Sequence, residues 1–142
     1  MKTRRLLALG AAALLLAAGP AGCRETPQED GTLRIGVAVY KGEDTYISNM
    51  TQAMQESVDD WCAETGERIQ VSISDAQESQ NTQNEQIDRF LSLGYDVLCV
   101  NLVDRTDAAR VVDKAREADV PLVFFNREPV QEDIDAWDKV YY

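Results

Sequence analysis

Histidine is absent from the 142-residue chain, which removes the commonest general base and the commonest transition-metal ligand. Positive charge is scarce as well: 14 lysines and arginines face 25 aspartates and glutamates, a formal charge of −11. Setting aside Lys2, Arg4 and Arg5 near the start leaves about −14 for the rest. So acidic a body repels phosphates, which argues against nucleic acid as a partner. Neither G-x-G-x-x-G nor G-x-x-x-x-G-K-[ST] occurs, so nucleotide binding has no glycine cradle to stand on. There is no internal repeat and no low-complexity tract. An acidic pair such as Asp44 with Asp104 or Glu128 has no spacing that selects glycosidase chemistry over binding, and no activated nucleophile is visible. The expectation is a protein that is not an enzyme.

What is present begins with an export signal. Lys2, Arg4 and Arg5 form a positive region, followed by an apolar run from Leu6 to Ala18 that is too short to span a bilayer comfortably. Thr3-Arg4-Arg5 lacks the rest of a twin-arginine signal. Gly19-Pro20-Ala21-Gly22-Cys23 follows. Small residues directly before a lone cysteine resemble a bacterial lipobox, with Pro20 where leucine is usual. That resemblance implies lipid on Cys23 and anchoring at the outer face of the cell membrane. The expected division is a leader over residues 1–22, a polar tether over 23–32 and a domain over 33–142. A domain of that length can bury a proper core.

Leu33-Arg34-Ile35-Gly36-Val37-Ala38-Val39-Tyr40 has the Val/Ile run of a strand buried on both faces. Tyr46, Ile47, Met50, Ala53, Met54, Val58, Trp61 and Cys62 then recur at helical intervals up to Gly66. Ile69 to Ser74 alternates like a strand nearer the sheet edge. Asp75 to Glu85 is polar and reads mostly as a loop entering a helix, capped by Asp75 or Ser79. The apolar stripe of that helix is Ile87, Phe90 and Leu91, and Gly94 stops it. Asp96 to Leu102 is a buried strand, and Thr106 to Ala118 a helix with Ala108, Val111, Val112, Ala115 and Ala118 on one face. Leu122 to Asn126 is a fourth strand, Gln131 to Asp135 a polar segment, and Lys139 to Tyr142 the start of a fifth strand. Strands alternating with crossovers of this length predict an α/β doubly wound parallel sheet in the order 2-1-3-4-5.

Polar groups gather where such strands end: Asp44 and Tyr46, Asp75, Asn101 and Asp104, Asn126 and Glu128. Ligands of open α/β sheets bind beyond the carboxyl ends of the strands. An ionised carboxylate accepts from two neighbouring hydroxyls, an amide donates and accepts at once, and an aromatic ring covers a C–H face. That set suits a sugar. Taken singly, each residue serves equally well as a helix cap or a solvated loop residue.

Five segments carry a family resemblance: Arg34 to Lys41, Thr82-Gln83-Asn84-Glu85-Gln86-Ile87-Asp88, Val100-Asn101-Leu102-Val103-Asp104, Val123-Phe124-Phe125-Asn126-Arg127-Glu128-Pro129, and Asp138-Lys139-Val140-Tyr141-Tyr142. From Leu33 onward the chain resembles the galactose/glucose-binding proteins of bacterial ABC importers, of the type I periplasmic-binding fold. The resemblance implies the first lobe of a two-lobed protein that delivers a monosaccharide, galactose or glucose, to permease subunits and, in some members, to chemoreceptors. It implies that Asp44 accepts from sugar hydroxyls, that Tyr46 stacks on the ring where phenylalanine is usual, and that Asn126 binds ring hydroxyls. The family's second lobe, with its other stacking aromatic and its calcium loop, has no counterpart here, so no cofactor is expected in this portion. The segments that complete the family's first lobe are likewise missing, which leaves a sheet prone to associate. A truncated lobe that docks on a permease or chemoreceptor without carrying sugar is the alternative reading. Galactose against glucose stays open.

Two other proteins share this strand order. A phosphorelay receiver domain would use Glu43-Asp44 and Asp104 as its acidic cluster, and a repressor's sugar-sensing domain would need a DNA-binding motif ahead of Leu33. The export signal opposes both. Cys62 and Cys99 are expected as buried thiols packing as small hydrophobes; a disulfide between them is the other state open to an exported protein.

Overall fold

A computed structural model of the chain describes residues 31–142. The expected leader, Cys23 and the tether up to residue 30 lie outside the described residues. Strands and helices alternate as β1 (Leu33–Val39), α1 (Thr45–Thr65), β2 (Ile69–Asp75), α2 (Gln80–Ser92), β3 (Val97–Val100), α3 (Ala108–Glu117), β4 (Leu122–Phe124), α4 (Gln131–Ile134) and β5 (Val140–Tyr141). The five strands pair in parallel in the order β2-β1-β3-β4-β5, as the alternation predicts. Every strand therefore ends at the same edge of the sheet, and the order reverses between β1 and β3.

The register separates two faces. Val37 lies opposite Ile73 on β2 and Cys99 on β3, and Cys99 opposite Val123 on β4. The intervening residues Ala38, Leu98, Val100, Leu122 and Phe124 face the other way, where they pack against Ile87 and Phe90 of α2 and Val111, Val112 and Ala115 of α3. Full burial of each Val, Leu or Phe there contributes about 1.5–3 kcal/mol. The first face is thinner: only Val37, Val39 and Ile47 are fully buried, with Met54, Val71, Cys99 and Phe125 half-buried around them. One helix, α1, covers that face, so the thiols expected to be buried are half-buried. Cys62 and Cys99 are both free, and burial pushes the Cys99 thiol up to about 11, so it stays protonated at neutral pH.

The helices follow their patterns with three differences. In α1 the contact stripe is Ile47, Met50, Met54, Val58 and Cys62, whereas Tyr46, Ala53 and Trp61 are exposed. Each of those three sits one residue off the stripe, about 100° around the axis, and a single helix buries only one side. The segment read mostly as a loop contains the start of α2: Ser79 caps it by accepting from the Thr82 N–H, and Gln83 and Asn84 are buried. Third, the helix expected from Thr106 opens as a 3₁₀ turn at Arg105–Asp107 before α3, and Ala118 is its exposed C-cap. The C-terminal glycine of α1 behaves as read: Gly66 adopts φ 75° and donates its N–H to the Cys62 carbonyl.

Gly36 lies mid-strand in β1 against the Phe90 ring; an added Cβ would meet Phe90 Cγ at 2.7 Å. Phe90 is itself wedged against Tyr95, ring centroids 4.8 Å apart, so it has little room to yield. Gly36→Ala gains about 0.4–1 kcal/mol through the unfolded chain and loses about 1–3 kcal/mol to overpacking. The clash wins. Urea denaturation of the variant is expected to show a lower midpoint at unchanged slope; an equal or higher midpoint would mean that Phe90 moves freely.

Two carboxylates cap helical starts. The Asp44 carboxyl is held below its ordinary 3.8, first by the Tyr40 hydroxyl and then by the Ile47 N–H. Asp104 is held down by the Thr106 hydroxyl and then by its N–H. Because the folded values lie below the unfolded ones, the unfolded chain takes up the protons first. The stability these groups contribute is present above the unfolded value and is lost as pH falls through the folded value. Thermal melts between about pH 5 and pH 2 are expected to fall less steeply for Asp44→Asn than for the parent. Asparagine still caps but does not titrate, so parallel curves would sink the assignment.

Candidate functional site

Past the last ladder pair the sheet is continued by a side chain. Asn101, fully buried directly after β3, accepts from the Tyr40 N–H at 3.4 Å and donates from Nδ2 to the Phe125 carbonyl at 3.3 Å. Its own carbonyl accepts from Gln83 Nε2 at 2.9 Å, and Gln83 Oε1 accepts from the Val103 N–H at 3.0 Å. Both amides are thus consumed in tying the ends of β1, β3 and β4 to α2. Asn101 is structural here rather than free for a ligand.

Asp44 caps α1. Its Oδ1 accepts from the N–H groups of Tyr46 at 2.9 Å and Ile47 at 3.1 Å, and its Oδ2 accepts from the Tyr40 hydroxyl at 2.6 Å. A carboxylate offers about four lone-pair sites, so three donors leave room for one more. That differs from the sequence expectation of a carboxylate accepting from two sugar hydroxyls. The reason is that the same residue closes the helix start. Tyr46 projects from the first turn of α1 with its side chain largely exposed.

Asn126 is exposed after β4 and adopts φ 63°. The Arg127 N–H donates to the Phe125 carbonyl at 2.7 Å, closing a three-residue turn about Asn126. Asparagine tolerates that left-handed region better than most residues. Gln77 and Glu78 after β2 share it, with φ 50° and 62°. Three of the four non-glycine residues with positive φ among the described residues therefore sit at this one edge, where backbone strain often accompanies function. Arg127 lies beneath: its Nη1 donates to the carbonyls of Leu102 at 3.1 Å and Val103 at 2.7 Å, and its Cζ stands 3.8 Å from the centroid of the Tyr40 ring.

Asp44, Tyr46 and Asn126 thus lie at the same edge, Asp44 and Asn126 joined through Tyr40 and Arg127. The other polar residues expected at the rim have local duties. Asp75 accepts from the Gln77 N–H at 2.9 Å and presses against Gly42, where a Cβ would meet Asp75 Oδ2 at 3.0 Å. Asp104 accepts from both the N–H and the hydroxyl of Thr106, at 2.8 and 2.7 Å. Glu128 uses its carbonyl to accept from Arg105 Nε. A Lys41–Glu78 pair at 3.0 Å straps the loop after β1 to the loop after β2, although at such exposure it adds little stability. Sequence reasoning assigned no role to Tyr40, Arg127 or Gln83. For Gln83 a signal existed, since it stands four residues before Ile87 on the same helical stripe. An open depression of about 310 Å³ lined by Leu33, Arg68 and Ile69 lies at the opposite edge, where strands begin.

Residues 35–142 match the family model described as a periplasmic binding protein domain. The D-galactose/methyl-galactoside binding periplasmic protein MglB of Haemophilus influenzae is 35% identical over 109 residues, covering 77% of this chain and 31% of that protein. A putative rhizopine-binding protein of Rhizobium meliloti is 38% identical over 100 residues, covering 70% of this chain and 30% of that protein. The crystal structure of an ABC transporter solute binding protein from Bacillus halodurans with bound myo-inositol superposes with a TM-score of 0.63 at 28% identity, covering 74% of this chain and 35% of that one. The chain spans about a third of the length of the curated relatives it matches. A parallel sheet in this order, a polar rim where its strands end, and a family match over most of the described residues place the chain in the periplasmic binding protein family.

Proposed function

We propose that the chain is the first sugar-binding portion of an extracytoplasmic solute-binding lipoprotein serving an ABC importer, with a leader over residues 1–22, lipid on Cys23 and a tether to residue 32. Its ligand is a neutral monosaccharide of the galactose/glucose type. Asp44 accepts one ring hydroxyl, Tyr46 covers a C–H face, and the Asn126 amide donates to and accepts from neighbouring hydroxyls. What supports the reading is that these three residues, far apart in sequence, follow strand ends at the edge where an open α/β sheet binds ligands. The relatives named for D-galactose and for bound myo-inositol both take polyhydroxylated rings. An anionic ligand fits less well, because the Asp44 carboxylate stands at this edge while Arg127 Nη1 and Arg105 Nε already donate to backbone carbonyls.

A complete micromolar site corresponds to about −8 kcal/mol, and half of that to about millimolar. Titrating isotopically labelled chain with galactose and with glucose is expected to give a dissociation constant of about a millimolar or weaker, with amide shifts gathered at residues 40–46 and 125–128. Asn126→Gly keeps the left-handed turn at no steric cost while deleting the amide, and is expected to weaken binding about tenfold or more without loss of stability. Shifts scattered over the surface, or a variant that binds as the parent does, would overturn the assignment.

A further inference from the structure

We infer that Tyr40 and Arg127 are positioning residues that lock the Asp44 carboxylate and the Asn126 amide into a single presentation to the ligand. This deepens the sugar-binding reading above and rests on it. The observation is a continuous brace running across the rim. Arg127 Nη1 donates to two successive carbonyls, Leu102 and Val103, where the chain leaves β3. The guanidinium so fixed stands 3.8 Å from the centroid of the Tyr40 ring, within the range of a cation–π contact. Tyr40 is also held by its backbone, its N–H donating to Asn101 Oδ1 at 3.4 Å and its carbonyl accepting from the Glu78 N–H at 2.7 Å. Its hydroxyl then reaches Asp44 Oδ2 at 2.6 Å, the short separation of a charge-assisted bond.

The consequence is directional. With two N–H donors on Oδ1 and the phenol on Oδ2, the acceptor site left on Asp44 belongs to Oδ2 and points one way. The carboxylate cannot rotate without breaking a cap bond and the phenol bond together. Asn126 is tied to the same brace through the chain, because the turn that sets its φ of 63° is closed by the Arg127 N–H. Movement of Arg127 therefore disturbs the amide and the carboxylate at once. The Arg127 Nη1 donors meet carbonyls, and the Tyr40 hydroxyl proton is given to Asp44. Packing alone would place a phenylalanine at position 40 as well as a tyrosine.

The test reads titrations, which packing would leave unmoved. The Tyr40 bond is the largest cause of the lowered Asp44 value, with Lys41 a minor one, so Tyr40→Phe is expected to move the Asp44 carboxyl midpoint up towards the ordinary 3.8, followed by carbon-13 NMR. Arg127 opposes the rise of the Tyr40 phenol, so Arg127→Gln is expected to raise the phenol midpoint further and Arg127→Lys to restore part of the shift. The galactose titration of Tyr40→Phe, with circular dichroism unchanged, is expected to weaken about tenfold. Unmoved midpoints beside a normal galactose response in the parent overturn the brace alone. Moved midpoints with no galactose response in the parent overturn the sugar reading and, with it, the ligand role given to the brace.

Discussion

The rest of the molecule depends on one fully buried amide. The β1–β3 ladder ends at Ala38 opposite Val100, and the β3–β4 ladder at Val100 opposite Phe124. Beyond that row the Asn101 and Phe125 N–H groups still reach the Ala38 and Val100 carbonyls, but the strands then separate. The Tyr40 N–H and the Asn101 and Phe125 carbonyls have side-chain amides as partners in place of a strand. A buried polar group left unpaired costs about 1–3 kcal/mol, so the separation needs a substitute partner. Asn101 is that substitute, accepting from β1's Tyr40 and donating to Phe125 past β4. Gln83 repeats the device one layer down, answering the Asn101 carbonyl and the Val103 N–H from α2. With both amides in place the rim opens without orphaned backbone at these positions, and Tyr40 is set at the height from which its hydroxyl meets Asp44.

The legible parts of this chain are those where local physics and tertiary packing agree. β1 and β3 read as buried strands because Val/Ile runs are what two covered faces require. The parallel pairing followed from crossover length and handedness, and the order from β1 reading as a central strand and β2 as one nearer the edge. Gly66 and Ser79 announced a helix end and a helix start through their own backbone and side-chain chemistry. What stayed hidden was set by partners distant in sequence. Gln83 is polar on an apolar stripe because it answers backbone groups 18 and 20 residues away. Tyr46 and Trp61 fall at helical intervals but face solvent, since α1 alone covers its side of the sheet and contacts it along a narrow strip. At the site, a carboxylate and an amide could be placed at one edge by topology, but the brace between them runs through an aromatic and an arginine whose meeting no spacing rule anticipates.

The two readings of Asp44, helix cap and ligand acceptor, are usually set against each other. On the proposed reading they are the same arrangement seen from two sides. The cap supplies two donors to Oδ1 and the phenol one to Oδ2, and these bonds remove the rotational freedom that a ligand would otherwise have to freeze. Preorganisation of that kind raises affinity by lowering the cost of binding rather than by adding contacts. The strained backbone at Asn126 follows the same logic, with the cost of the left-handed turn already met in the folded chain before a ligand arrives. On the proposed reading, a rim built this way favours a small, neutral, rigid ring over a flexible or anionic molecule. Its acceptors are fixed in direction, its carboxylates set the local charge, and Arg127 Nη1 and Arg105 Nε already donate to carbonyls.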